Sequence, residues 1–153
     1  MSEIERRKVF GIPPFRGLDK FDTWHYGTPS LDSFCDDDTA NIDDFTGSGF
    51  SPVLISTIGK TPGACDRARK VIYTGDIVRF YSKGVPQNIT GVVIYSAKLC
   101  AFYIRIDDQR VIFFKDMKAE VDHGGAVTFP AVEIIGDIYT GDRKQGAEYG
   151  KNG

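Results

Sequence analysis

Few residues of this chain have the types and spacing that chemistry needs. The two histidines, His25 and His123, lie far apart, and neither belongs to a His-x-x-x-His pair. Cys35, Cys65 and Cys100 form no Cys-x-x-Cys pair. A zinc centre needs three or four nitrogen or sulfur ligands and would have to draw on isolated positions. The odd, widely spaced cysteines read as reduced thiols and not as a disulfide framework. Asp36-Asp37-Asp38 would attract Ca²⁺ or Mg²⁺ as bare charge, but it lacks the spacing and the glycine of an EF-hand loop. Gly59-Lys60-Thr61 ends like a phosphate-binding loop, yet the position that needs the first glycine is Leu54. It therefore reads as turn chemistry. No Gly-x-Ser-x-Gly elbow occurs. Cys100, in an apolar run, reads as core, because a nucleophilic thiol needs a base and an electropositive setting. His25, between Trp24 and Tyr26, reads as a strand residue and not as a base. The sequence thus predicts no catalytic residue, no metal ligand and no cofactor, and a protein that is not an enzyme.

Binding is a different matter. Residues 21–59 contain no Lys or Arg but seven Asp, so this segment carries −7 and the remainder +5 of a formal total of −2. Rich in Ser, Thr, Gly and Asn and lacking a sustained apolar period, the block from 32 to 44 reads as a long acidic loop. It is either a solvated surface or a partner surface for a basic protein, carried by Asp32, Asp36, Asp37, Asp38, Asp43 and Asp44. A second possibility lies further on. Basic residues from Arg79 to Lys118 are interleaved with aromatics from Phe80 to Phe114. Bases stack on aromatics while cations hold phosphates, and small barrels use that mixture for single strands. Arg79, Tyr81, Tyr103 and Arg105 are the candidates for such a nucleic-acid surface. Against it stand the net acidity and a sequence pI near 5.7.

The elements that must position these residues are strands. The chain holds 153 residues, 17 of them glycine, and 12% are aromatic; that length fits one domain or a domain with a substantial arm, and the composition favours β-structure with many turns. Phe15-Arg16-Gly17 and Trp24-His25-Tyr26-Gly27 read as two short strands around a polar turn. Residues 51–58 form a β-branched run, and Thr61-Pro62-Gly63 is a strong turn signal. Residues 65–70 are polar and read as a helical turn or a loop. After the turn Thr74-Gly75-Asp76 come strands at 77–81, broken by Lys83-Gly84-Val85-Pro86, and at 89–95, with Gly91 a candidate bulge. Strands at 101–106 and 111–114 make a hairpin around Asp107-Asp108-Gln109. Residues 116–121 suggest a short helical turn, His123-Gly124-Gly125 a turn, and 132–139 the last strand. Ile138-Tyr139-Thr140-Gly141-Asp142 echoes Ile72-Tyr73-Thr74-Gly75-Asp76, a shared turn solution and not a repeat.

Short strands at near-regular spacing with Gly-rich turns predict a mainly β fold. The expected arrangement is an N-terminal β extension with the acidic loop over 1–60, a small antiparallel SH3-like barrel over 61–145, and a frayed tail over 146–153. No apolar stretch is long enough for a membrane helix. The charged start, Met1-Ser2-Glu3-Ile4-Glu5-Arg6-Arg7, does not open like a signal peptide. The expectation is a cytoplasmic protein without a membrane partner.

An ordered series of motifs completes the reading: Phe15-Arg16-Gly17, Trp24-His25-Tyr26-Gly27, Thr57-Ile58-Gly59, Ile72-Tyr73-Thr74-Gly75-Asp76-Ile77-Val78, Gly91-Val92-Val93 and Glu133-Ile134-Ile135-Gly136-Asp137-Ile138-Tyr139. In this order the chain resembles the YopX family of phage and prophage proteins, over residues 9–142. It departs from that pattern at Thr61-Pro62-Gly63-Ala64-Cys65-Asp66-Arg67 and at Asp137, where Asn is usual. The resemblance implies a predominantly β protein encoded by a mobile element, and it carries over no catalytic residue. It also implies architectural roles: Gly75, Gly91 and Gly136 at turns or bulges, Asp76 bonding turn amides, Tyr73 and Tyr139 packing. Together these readings lead to an accessory protein in a bacterial host, working through contacts with itself or with a host or phage protein. Nucleic-acid binding is the alternative.

Overall fold

The computed structural model describes residues 11–30, 38–44 and 50–142. It is mainly β, and every strand pair but one is antiparallel. The chain divides into two compact units, Met1–Thr61 and Pro62–Gly153.

In the first unit β1 (Phe15–Leu18) and β2 (Trp24–Ser30) pair from Phe15 opposite Gly27 to Leu18 opposite Trp24. The turn between them is held by Asp19, whose Oδ1 accepts the amides of Phe21 at 2.8 Å and Thr23 at 3.0 Å. β3 (Thr39–Asp43) and β4 (Phe50–Leu54) extend the sheet, and β5 (Gly59–Lys60) closes its other side, giving the order β4-β3-β2-β1-β5. Two expectations change here. Part of the acidic block is a strand and not a loop, because Ala40 and Ile42 alternate with Thr39, Asn41 and Asp43 and are fully buried. Two apolar side chains suffice for that when flanking strands supply the rest of the core. Gly59-Lys60 is a short strand on β1, not a turn. The run after Pro52 stops at Leu54, where Ile55–Thr57 forms a 3₁₀ turn. Thr57 anchors it: its hydroxyl accepts the Leu18 amide at 2.8 Å and donates to the Leu54 carbonyl at 2.7 Å.

The second unit is built from β6 (Ala64–Cys65), β7 (Asp76–Ser82), β8 (Val85–Ser96), β9 (Ala101–Arg105), β10 (Val111–Phe113), β11 (Glu120–Val121), β12 (Val127–Thr128), β13 (Val132–Asp137) and β14 (Gly141–Asp142). Six of them form a sheet in the order β10-β9-β8-β7-β13-β14, and β11-β12-β6 form a small second sheet. Among the described residues no sheet closes on itself. The expected closed barrel is an open sheet, because three-residue β10 pairs only with β9 before the chain turns away through a 3₁₀ turn at Phe114–Asp116. The core lies on one face of this sheet, where Val78, Val93, Ile104, Val132 and Ile134 meet Ala64, Ile72, Phe114 and Phe129.

Turn chemistry explains the hairpins. Lys83 and Gly84 have φ of 52° and 77°, the left-handed pair that a two-residue loop between twisted strands requires. The chain therefore does not break at Pro86, which lies inside β8. The register slips between Tyr81–Pro86 and Arg79–Thr90, leaving two extra residues on β8. That bulge, not Gly91, is the irregularity of β8. Gly91 pairs in register with Val78, and a Cβ there would lie 2.5 Å from Ile104 Cγ2. Glycine is needed for close approach of β9. Gly136 does sit at a bulge, where the register of β13 on β7 shifts between Ile134 and Gly136.

Three buried carboxylates tie the loops. Asp66 Oδ1 accepts the amides of Ala68 and Lys70, both at 2.9 Å, so after Cys65, which ends β6, residues 66–70 are a loop closed on an Asp side chain and not a helical turn. Asp76 Oδ2 accepts the Tyr73 amide at 2.8 Å. Asp137 Oδ1 accepts those of Tyr139 and Thr140 at 2.9 and 2.7 Å. The echo of the Ile-Tyr-Thr-Gly-Asp motif is not structural: Ile72 and Tyr73 are buried, whereas Ile138 and Tyr139 are 46% and 38% exposed. Tyr139 is therefore not a packing residue of the core.

Candidate functional site

Strand parity sorts the second unit's side chains into two faces, since directly opposed residues in antiparallel strands project to the same side. Arg79 lies opposite Thr90, Ile77 opposite Val92, Val92 opposite Arg105, and Ile94 opposite Tyr103, which is itself opposite Phe113. These residues occupy the face opposite Val78, Val93 and Ile104, and on it Ile77 is itself fully buried. Arg79 and Tyr81 alternate along β7, as Tyr103 and Arg105 do along β9. All four candidates of the basic-aromatic set thus share this outer face.

They are not equally available. The Arg67 guanidinium lies 3.8 Å from the centre of the Tyr81 ring, and the Tyr81 hydroxyl donates to Glu133 at 3.3 Å. Tyr81 is thereby held in place by its own unit. Tyr103 tilts against Phe113 at 5.6 Å between ring centres, and Lys115 Nζ lies 5.8 Å from the Phe113 ring. Arg105 is exposed. Beside it Val92, Ile94, Ile138 and Tyr139 line a groove of about 330 Å³. Ile138 and Tyr139 were not legible as surface residues, because their motif copies a buried one.

The acidic set divides. Asp32, Asp36 and Asp37 lie outside the described residues. Asp38 is exposed just before β3, and its carbonyl accepts the Ile55 amide at 2.9 Å. Asp43, in β3, and Asp44, just after it, are half-buried. Cys100 is not core: it is exposed in the turn before β9 with φ of 49°, because that turn folds its thiol towards the Ala97 carbonyl at 3.5 Å. His123 is exposed in the turn before β12. Among the described residues no group of three or more His, Cys, Asp or Glu is placed to hold a metal ion, and no helix is long and apolar enough to cross a membrane.

One polar pair was missed by sequence reasoning. His25 Nε2 lies 2.8 Å from Asp19 Oδ2 across the β1–β2 turn. The His25 hydrogen bond, with backbone amides behind it, holds the Asp19 carboxyl below its ordinary range. The pair stands on the wall of a groove of about 470 Å³ whose floor includes Asn41 and Pro52. Six residues separate the partners, a spacing set by the turn and by no recognisable motif.

Compared with known proteins, the chain matches no family model, no curated protein and no solved structure.

Proposed function

We propose that this is a non-enzymatic accessory protein of the YopX type, encoded by a phage or prophage and acting in the bacterial cytoplasm through protein contacts. Its second unit self-associates through the outer face of the six-stranded sheet. The observation that carries this reading is the apolar row on that face. Val92, Ile94, Tyr103 and Phe113 lie on adjacent strands with Val111 at 45% and Ile138 at 46% exposure. Contiguous apolar side chains rimmed by charge mark interaction surfaces more often than solvent surface. A four-strand meander, a 3₁₀ turn and a last long strand returning beside the first support an SH3-like order within the unit. The acidic residues from Asp32 to Asp44, of which Asp38 is exposed and Asp43 and Asp44 half-buried, are the proposed contacts for a basic host or phage protein.

Light scattering on the full chain tests the association. A dimer or larger species is expected, reduced to monomer by Tyr103→Asp together with Ile94→Asp while far-ultraviolet circular dichroism is unchanged. A wild-type monomer at the highest soluble concentration would sink the reading.

A second reading has its own support: Arg79, Tyr81, Tyr103 and Arg105 share one face, with cations beside aromatic rings as single-strand binders have them. It expects a salt-sensitive shift of single-stranded oligonucleotides that Tyr103→Ala abolishes. Absence of any shift at low salt retires it.

A further inference from the structure

The outer face of the six-stranded sheet carries a groove between β8 and the turn after β13, and we infer that it binds a short amphipathic carboxylate, an apolar chain or ring ending in one carboxyl group. The groove exists because the face loses side-chain cover there. Gly75, with φ of 92°, donates its amide to the Val93 carbonyl at 2.9 Å, and its own carbonyl accepts the Ile138 amide at 2.9 Å. It therefore lies between β8 and that turn, and it places no side chain between Ile94 and Ile138. The space left is about 330 Å³. That is the lower end of ligand sites, so it suits a small molecule and not a large cofactor.

The walls are apolar and fixed. Val92 and Ile94 are half-buried on the outer face. Val93 and Tyr95 also border the groove but turn to the core side, where Val93 is buried and Tyr95 meets Phe102 at 4.8 Å between ring centres. Across from Val92 and Ile94 stand Ile138 and Tyr139, both exposed. Their turn is held by Asp137, whose Oδ1 accepts the amides of Tyr139 and Thr140 and whose Oδ2 accepts the Thr140 hydroxyl at 2.7 Å. The groove is pre-formed, which lowers the ordering cost of binding.

Charge sets the head group. Arg105, opposite Val92 on β9, is exposed and lines the groove. Among the described residues it has no ion-pair partner, and none of the described lining residues is acidic. A guanidinium presents a planar fork that meets a carboxylate through two parallel hydrogen bonds. One such cation beside an apolar trough matches one negative charge on an apolar tail. It does not match a polyphosphate, which needs several cations, nor an ammonium. The site is complete within one copy of the chain. Val92, Ile94 and Ile138 also belong to the association row, so an occupied groove and an associated face exclude each other. That coupling, unlike the site itself, rests on the reading proposed above.

The test is an amide-shift titration of the isotope-labelled full chain at neutral pH with octanoate, and with octanol and octylamine as the neutral and cationic comparisons. Octanoate is expected to move the amides of Val92, Ile94, Arg105 and Ile138, saturating at about millimolar concentration. Arg105→Gln, at an exposed position, should weaken octanoate about tenfold and leave octanol unchanged. Ile138→Ser should weaken both. In light scattering, octanoate should convert the associated chain to monomer. The site is overturned if octanoate moves none of these amides, if Arg105→Gln binds it as the wild type does, or if octanol or octylamine binds as tightly. Octanoate shifts in a chain that is monomeric throughout would keep the site and remove the association. Association without octanoate shifts would remove the site and keep the association.

Discussion

Asp66 Oδ2 accepts the backbone amide of Ile134 at 2.8 Å, joining the loop that opens the second unit to a strand 68 residues later. The same carboxylate closes its own loop through Ala68 and Lys70, and Asp66 is 1% exposed. One side chain thus satisfies three amides that would otherwise be short of acceptors.

Asp66→Ala is expected to destabilise the protein by about 3–5 kcal/mol, because a buried donor left unsatisfied costs about 1–3 kcal/mol each. Asp66→Asn should lose much of the same amount, since its NH₂ group would face amide donors. Urea denaturation followed by circular dichroism measures both. A loss within error of zero would remove Asp66 from the framework of the fold.

Gly91→Ala should cost about 1–3 kcal/mol, the usual range for forcing extra volume into a packed site. The new Cβ would meet Ile104 Cγ2 at 2.5 Å and the Arg105 carbonyl oxygen at 2.9 Å. The backbone contact cannot be relieved by a rotamer change. Gly84→Ala meets no neighbour within 4 Å but forces a left-handed φ of 77°. Both should lower the melting temperature, the first by crowding and the second by strain.

Lys83 offers a stabilising change. With φ of 52° ahead of Gly84, it occupies a position that Asn or Gly fills at lower strain. Lys83→Asn is expected to raise stability by roughly 0.5–1 kcal/mol, read as a higher urea midpoint at unchanged slope. A fall would show that the lysine has a partner role in the loop.

The acid limb of the β1–β2 turn should depend on Asp19. Its carboxyl is held low first by the hydrogen bond from His25, then by the Thr23 amide. A carboxyl lowered on folding contributes stability that is fully present above its unfolded value of about 3.9. That stability is lost as pH falls through the lowered folded value. The amide signals of Phe21 and Thr23 should therefore hold steady down to the ordinary carboxylate range and move only below it. In Asp19→Asn they should show no such transition. A wild-type transition at or above the ordinary value would contradict the geometry.

How much of this was legible depends on where the information resides. The 101–113 hairpin could be read because its turn is local: Asp107 caps the amides of Gln109 and Arg110 and meets Arg110 Nε at 2.7 Å. The β1–β2 hairpin was equally local. Strand β3 was not, because Ala40 and Ile42 are a weak apolar signal among aspartates and become core only against Val53 beside Gly17. Pro86 suggested a break because a proline removes a donor, yet a bulged strand tolerates it. The candidate face followed from parity alone, since Tyr103 and Arg105 are two apart on one strand. The cover on Tyr81 did not, because Arg67 reaches it from another loop. The His25–Asp19 pair needed the turn geometry before it could be seen.

The pairing of β7 with β13 sets the order of events during synthesis. Val78 pairs with Gly91 early but gains its second neighbour only when Ile134 has been made, and Asp66 waits for the same strand. The meander β7 to β10 can form as it leaves the ribosome, but its inner face stays uncovered until nearly the whole unit has emerged. Chains truncated before Val132 should therefore be substrates for proteolysis rather than smaller folded domains, and a nascent chain of this protein carries β7 with one edge open until β13 is made.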